Sequence, residues 1–120
     1  LLPKPGMSFD EILSGSQQEL RRGTVVLACL LLLREPGYGY ALLEQLRDLG
    51  FTVDANTLYP LLRRLEGQGM LTSEWNTQEA RPRKFYQISP DGERLAAELL
   101  ADWERIDASV RRLGQGGRES

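Results

Sequence analysis

Residues 25–33 read Val-Val-Leu-Ala-Cys-Leu-Leu-Leu-Leu, an unbroken apolar run. On a helix such a run presents apolar surface at every angle, so it must be covered all round. It is less than half the roughly 20 residues that a membrane-spanning helix needs, so the cover has to come from protein. Ser16 offers an N-cap with Glu19 three residues on, the spacing of a capping box. Pro36-Gly37 provides the stop. The expected helix therefore runs from residue 16 to about Arg34. Its complete burial calls for a surrounding domain and a partner chain, with Leu27 and Leu31 assigned to the partner contact.

The segments that follow supply the domain. After the turn Gly37-Tyr38-Gly39-Tyr40, Leu42, Leu43, Leu46 and Leu49 form the stripe of a second helix, which Gly50 ends. Phe51-Thr52-Val53 is an extended link, and Asp54 is the N-cap of a third helix. That helix buries Leu58, Leu61, Leu62 and Leu65 and ends at Gly67 or Gly69. The pattern then turns extended over residues 70–76 and 83–89, around a polar stretch at 77–82, which reads as a hairpin. Ser89-Pro90-Asp91-Gly92 breaks it. In the final helix Leu95, Leu99, Trp103, Ile106, Val110 and Leu113 recur at intervals of four, four, three, four and three. This nearly heptad seam is what a dimerising helix needs.

The order helix, helix, helix, hairpin, long helix predicts a mainly α (α+β) fold. It is that of a winged helix-turn-helix with a two-stranded wing and a long C-terminal dimerisation helix. The expected divisions are an N-terminal arm at 1–15, the winged domain at 16–90, the dimerisation helix at 91–114 and a flexible tail at 115–120. Residues 9–13 have the pattern of a short helical turn within the arm, and no role is assigned to residues 1–6.

Composition narrows the chemistry. A chain of 120 residues with 41% hydrophobic and 27% charged side chains can bury a core and is the size of one domain. It has no His, which removes the commonest general base and metal ligand. Its one Cys29 lies in the apolar run, so no internal disulfide framework exists. Neither a Gly-rich phosphate loop nor a paired carboxylate motif is present, and an enzyme is not expected, nor a metal or cofactor. The expected setting is the cytoplasm, without membrane attachment.

Function is argued from the third helix. With its leucines inward, Asn56, Pro60 and Arg63 face outward, and Thr57, Tyr59 and Arg64 lie on the flanks. Arg bonds guanine edges or phosphates, Asn bonds adenine edges, and hydroxyls bond the backbone. An ordinary solvated face carries two arginines as well, so the pattern alone leaves both readings open. Pro60 falls past the first turn, where local distortion and an unpartnered Asn56 carbonyl are expected. Arg81, Arg83 and Lys84 cluster at the hairpin, within reach of flanking phosphates. Residues 55–90 hold Arg63, Arg64, Arg81, Arg83 and Lys84 against Glu66, Glu74 and Glu79. That segment is positive in a chain of net charge −2, while the last helix is acidic. The expected DNA-contacting set is Tyr40, Asn56, Thr57, Tyr59, Pro60, Arg63, Arg64, Arg81, Arg83 and Lys84. Trp103 lies on the seam, where packing is its plain reading and a site for a flat ligand the second. Trp75 is expected to pack across strands, and Cys29 to be a buried, inert thiol.

Residues 56–66, from Asn56-Thr57-Leu58-Tyr59-Pro60 to Leu65-Glu66, resemble the signature of the PadR family of transcriptional regulators. Leu20-Arg21-Arg22-Gly23-Thr24 resembles that family's entry to its first helix, Gly39-Tyr40-Ala41-Leu42 the start of its second. Arg83-Lys84-Phe85-Tyr86-Gln87-Ile88-Ser89 with Gly92 resembles its second wing strand and exit. The resemblance spans residues 18–113 and implies a homodimeric repressor that binds double-stranded, pseudo-palindromic DNA. It also implies a planar aromatic effector, as for some relatives, near Trp103. Many relatives carry a small residue at Asn56, a departure that bears on base preference. The competing reading is a protein-interaction module on the same scaffold without DNA binding, suggested by the net charge and the acidic last helix.

Overall fold

Ser8, rather than Ser16, opens the first helix. In the computed structural model, which describes residues 6–78 and 80–116, Glu11 N–H donates to the Ser8 hydroxyl at 3.2 Å. Ser8 N–H donates in return to the Glu11 carboxylate at 3.4 Å. This capping box starts helix α1, Phe9–Arg22. Ser16 and Glu19 have the same spacing but lie inside α1, where the backbone N–H groups already have helical partners and cannot be capped. The short turn expected at 9–13 is thus the beginning of a 14-residue helix.

The single helix expected from residue 16 to Arg34 is two helices. At Thr24 the hydroxyl donates to the Arg21 carbonyl at 2.7 Å and the N–H donates to the same carbonyl at 3.0 Å. This local pairing competes with helix continuation, and α2 restarts at Val25–Leu32. No residue of α1 is buried, and its stripe Phe9, Ile12, Leu13 and Leu20 faces outward.

The rest of the order is β1 (Gly37–Tyr38), α3 (Gly39–Asp48), α4 (Ala55–Gly67), β2 (Leu71–Asn76), β3 (Arg83–Ile88) and α5 (Pro90–Gly116). β1 is an addition to the two-stranded wing. It pairs antiparallel with β3, setting Tyr38 opposite Phe85, so the sheet has the order β1-β3-β2. Two residues flanked by glycines carry no alternation for a sequence pattern to detect. The hairpin register sets Leu71 opposite Ile88 and Asn76 opposite Arg83.

Both glycine stops of the helix pair are of one kind. Gly50 and Gly69 have φ of +94° and +82°, a region that Cβ-bearing residues avoid. Phe51 N–H then reaches back to the Leu46 carbonyl at 2.9 Å, and Met70 N–H to that of Leu65 at 2.9 Å, the Schellman closure. α4 runs without interruption through Pro60, so the distortion expected there does not break the helix. Asn56 and Pro60 are both exposed. α5 opens with Pro90 at its first position, where no N–H is needed. Ser89 is its cap, accepting from Gly92 N–H at 3.0 Å.

The core lies between α2, α3, α4 and the base of the sheet, with Cys29, Leu30, Leu46, Leu58 and Leu62 fully enclosed. Most of the apolar run is covered within one protomer: Val25, Leu27, Cys29, Leu30 and Leu33 are buried, and Val26, Ala28, Leu31 and Leu32 are partly buried against them. Leu27 is therefore core, while Leu31 keeps some exposure. Burial pushes the Cys29 thiol up to about 12. Iodoacetamide at pH 8 is expected to leave Cys29 unmodified in the folded protein and to label it once denaturant is added. Ready labelling of the native protein would contradict this burial.

α5 remains helical to Gly116, past the expected onset of a flexible end; residues 117–120, 1–5 and Glu79 lie outside the described residues. Among the described residues no helix is long and apolar enough to cross a membrane.

Candidate nucleic-acid interface

α4 is set by its cap and its leucines. Thr57 N–H donates to the Asp54 carboxylate at 2.9 Å, which fixes the start of the helix. The burial of Leu58, Leu61, Leu62 and Leu65 fixes its rotation. Asn56, Thr57, Pro60, Arg63 and Arg64 are in consequence exposed together. Such a face offers an amide, a hydroxyl and two guanidinium groups to base edges and phosphates. Tyr59 is placed differently. It is half-buried against α3, so close that a Cβ on Gly39 would stand 2.5 Å from its ring. Gly39 lets the start of α3 approach the helix, with Tyr59 wedged between them. Tyr40, next along, is exposed, and its phenol titrates above its ordinary value, chiefly through a hydrogen bond with Glu44.

The wing is attached to this helix by a knot of polar contacts. Lys84 Nζ meets a Glu66 carboxylate oxygen at 3.0 Å, and the Ser73 hydroxyl donates to the other oxygen. Both side chains of the ion pair are about one-third exposed or less, so the pair is screened less than a surface bridge. The Ser73 hydroxyl and the Lys84 ammonium hold the Glu66 carboxyl below the usual carboxylate range. Glu66 holds Lys84 above its own ordinary value. A second set of contacts ties the wing to Tyr38, in β1 at the start of α3. Arg83 lies over its ring at 4.0 Å, Asn76 donates to its hydroxyl at 2.8 Å, and Phe85 meets it edge-on with ring centres 6.1 Å apart.

The basic cluster read from the sequence thus divides. Arg81 is exposed beside the connection, Arg83 is stacked on Tyr38, and Lys84 is half-buried on Glu66. Glu66, Ser73, Tyr38 and Asn76 carried no assigned role in the sequence reading. Their signal was the placement of Tyr38 and Glu66 beside conspicuous neighbours, but the pairing is visible only once β1 and the register are known. Trp75, expected to pack across strands, is instead 62% exposed, opposite Lys84 on the hairpin.

The α5 seam also divides. Leu95 and Leu99 pack against their own domain, whereas Trp103, Ile106, Val110 and Leu113 are 43%, 61%, 58% and 79% exposed. Beyond Leu99 the helix therefore carries its apolar positions away from the core, in a molecule 62 Å along its longest axis.

Three core helices, a small antiparallel sheet ending in a hairpin, and a long closing helix define a winged-helix protein. The chain belongs to the PadR-like family of transcriptional regulators, a family of non-enzymes, whose profile matches residues 26–98. It is similar to a PadR family transcriptional regulator from Eggerthella lenta, with 48% identity and a TM-score of 0.83 over 88% of this chain and 94% of that one. A PadR-like transcriptional regulator from Bacillus cereus superposes with a TM-score of 0.74 at 26% identity, over 81% of this chain and 97% of that one. A curated transcriptional regulator of Mycobacterium tuberculosis is 39% identical in a 70-residue alignment that covers 53% of this chain. The chain spans 65% of the length of that relative. α1 precedes the matched residues, and most of α5 follows them.

Proposed function

We propose that the protein is a sequence-specific regulator that binds double-stranded DNA as a homodimer and acts as a repressor. The observation that carries this reading is the exposed face of α4. Asn56, Thr57, Pro60, Arg63 and Arg64 stand out from a rigidly seated helix with a wing fastened beside it. In this reading α4 enters the major groove, Tyr40 and Arg64 meet phosphates, and Arg81 extends the contact from the wing. Lys84 and Arg83 contribute through the pose of the wing as well as through charge. The exposed seam of α5 supports pairing with a second copy, which would give two reading helices for a pseudo-palindromic site about one helical turn apart, roughly 34 Å. Trp103, on that seam, is where a planar aromatic effector would change the spacing and release DNA.

The test is a fluorescence-anisotropy titration against a duplex from upstream of the protein's own gene, with a shuffled control, at two salt concentrations. Tight, selective and salt-sensitive binding is expected. In the same assay Arg63→Ala is expected to weaken specific binding by about ten-fold, with a smaller effect on the shuffled duplex. Equal, weak binding to all duplexes at low salt would favour a protein partner for this scaffold. Full affinity in Arg63→Ala would remove the proposed docking of α4.

A further inference from the structure

We propose that the cleft between α1 and α4 binds a small organic anion carrying an apolar body, at a place separate from the α5 seam. Its walls come from the end of α1, the start of α2, the α3–α4 link and one flank of α4, and they border a half-open volume of about 1140 Å³. That is a little above the range of ordinary small-molecule clefts, roughly 300–1,000 Å³.

Two chemistries meet in it. Arg21, Arg22, Arg47 and Arg64 line the cleft against the single carboxylate of Asp54, which is already engaged as the cap of α4. Arg22 is paired with Glu19 at 3.0 Å. Arg21, Arg47 and Arg64 make no ion pair among the described residues. Arg47 is steadied by its Nε, which donates to the Val53 carbonyl at 3.2 Å, so the two terminal amino groups of that guanidinium remain for a ligand. Between the arginines, Val26, Phe51, Val53, Pro60 and Leu61 supply apolar surface.

Each component alone fits a simpler occupant badly. A DNA phosphate track would answer the arginines and leave the apolar surface in water. A wholly apolar molecule would cover that surface and desolvate guanidinium groups without a counter-charge. An anion with an apolar body satisfies both.

The regulatory consequence rests on the DNA-binding reading above. Thr57, Pro60 and Arg64 line the cleft and also belong to the exposed face of α4 that carries Asn56 and Arg63, so the cleft and the DNA-reading face share these residues. An occupant and DNA therefore act on one helix, and any coupling between them is reciprocal.

Anilinonaphthalene sulfonate, a sulfonate on an aromatic body, is the probe. It is titrated into the intact protein by fluorescence and then by amide NMR shifts. Saturable binding is expected, with shifts concentrated at residues 21–26, 50–54 and 57–64. The double change Arg21→Gln, Arg47→Gln, at positions assigned no DNA contact, is expected to lower affinity by about ten-fold, with the amide spectrum of the unliganded protein otherwise retained. Absence of saturable binding would overturn the proposal, as would shifts concentrated at residues 99–113 and the Trp103 indole. So would a double variant that keeps its affinity for the probe while losing affinity for DNA, since the cleft would then be a phosphate track. DNA anisotropy on the unaltered protein runs in parallel, so failure of the DNA reading and failure of the cleft are seen separately.

Discussion

The double variant Ile106→Glu, Val110→Glu is expected to be monomeric and to bind a two-half-site duplex about 100-fold more weakly than the parent. Both positions lie on the part of α5 that has left its own domain, and both are more than half exposed in the protomer. The fold of the single chain should therefore be unaffected. In the proposed pair each glutamate would be enclosed against the partner helix with no cation assigned to it, a costly burial. Loss of pairing separates the two reading helices, and the second half-site contact no longer benefits from being tethered to the first. Analytical ultracentrifugation gives the mass, and anisotropy with one and two half-sites gives the affinities. Single-half-site binding should persist. A variant that remains dimeric would remove the α5 seam from the interface. A monomeric variant with full affinity for the double site would remove the need for a dimer.

Gly92→Ala should be the most damaging small substitution in the domain. A Cβ at this position would run into the Met70 carbonyl oxygen and stand 2.6 Å from Ile88 Cγ1. That carbonyl is backbone, and it already accepts the Ser89 N–H at 3.0 Å. Ser89 in turn donates its hydroxyl to the Gly69 carbonyl at 2.5 Å and accepts from Gly92 N–H at 3.0 Å. The end of α4, the start of β2 and the start of α5 meet at this point, so none can shift alone. A destabilisation of about 3 kcal/mol is expected, a fall in Tm on the order of 10 °C, measured by circular dichroism. Gly67→Ala is the control. It lies in the last position of α4, and a Cβ there would meet nothing within 4 Å. A Tm for Gly92→Ala as high as that of the control would refute the steric argument.

The core helices and the hairpin were legible because each depends on local chemistry. Asp54 caps α4, the leucines at 58, 61, 62 and 65 turn it, and Gly50 and Gly69 close the two helices with φ values that only glycine takes easily. The cap of the first helix is ambiguous in the sequence, because Ser8-Glu11 and Ser16-Glu19 have identical spacing. Only the geometry of the backbone distinguishes a cap from two residues inside a helix. The interruption at Thr24 is marked by two local hydrogen bonds to the Arg21 carbonyl, which leave hydrophobic periodicity untouched.

In the candidate interface, residue types and faces were readable on α4, since rotation about the helix follows from burial. The wing was less so. Lys84 appears in the sequence as one of three clustered cations, but pairing with Glu66, 18 positions earlier, gives it a different standing. Arg83 is likewise defined by Tyr38, which reaches it through a two-residue strand. Long-range pairs of this kind are set by sheet register, and register was not determined by the polar loop between the strands.

The fastening of the hairpin to α4 at Glu66, Ser73 and Lys84 has a consequence for how operators are told apart. In the proposed docking, helix and hairpin would act as one unit, leaving little slack within a half-site between what is read in one groove and what is gripped beside it. Sites of slightly altered length cannot be accommodated by sliding the wing along the helix. In the proposed homodimer, tolerance would have to come from the angle between subunits instead. Operators would then be sorted by the rise and twist separating their halves, as a vernier sorts rulings that are each correctly cut.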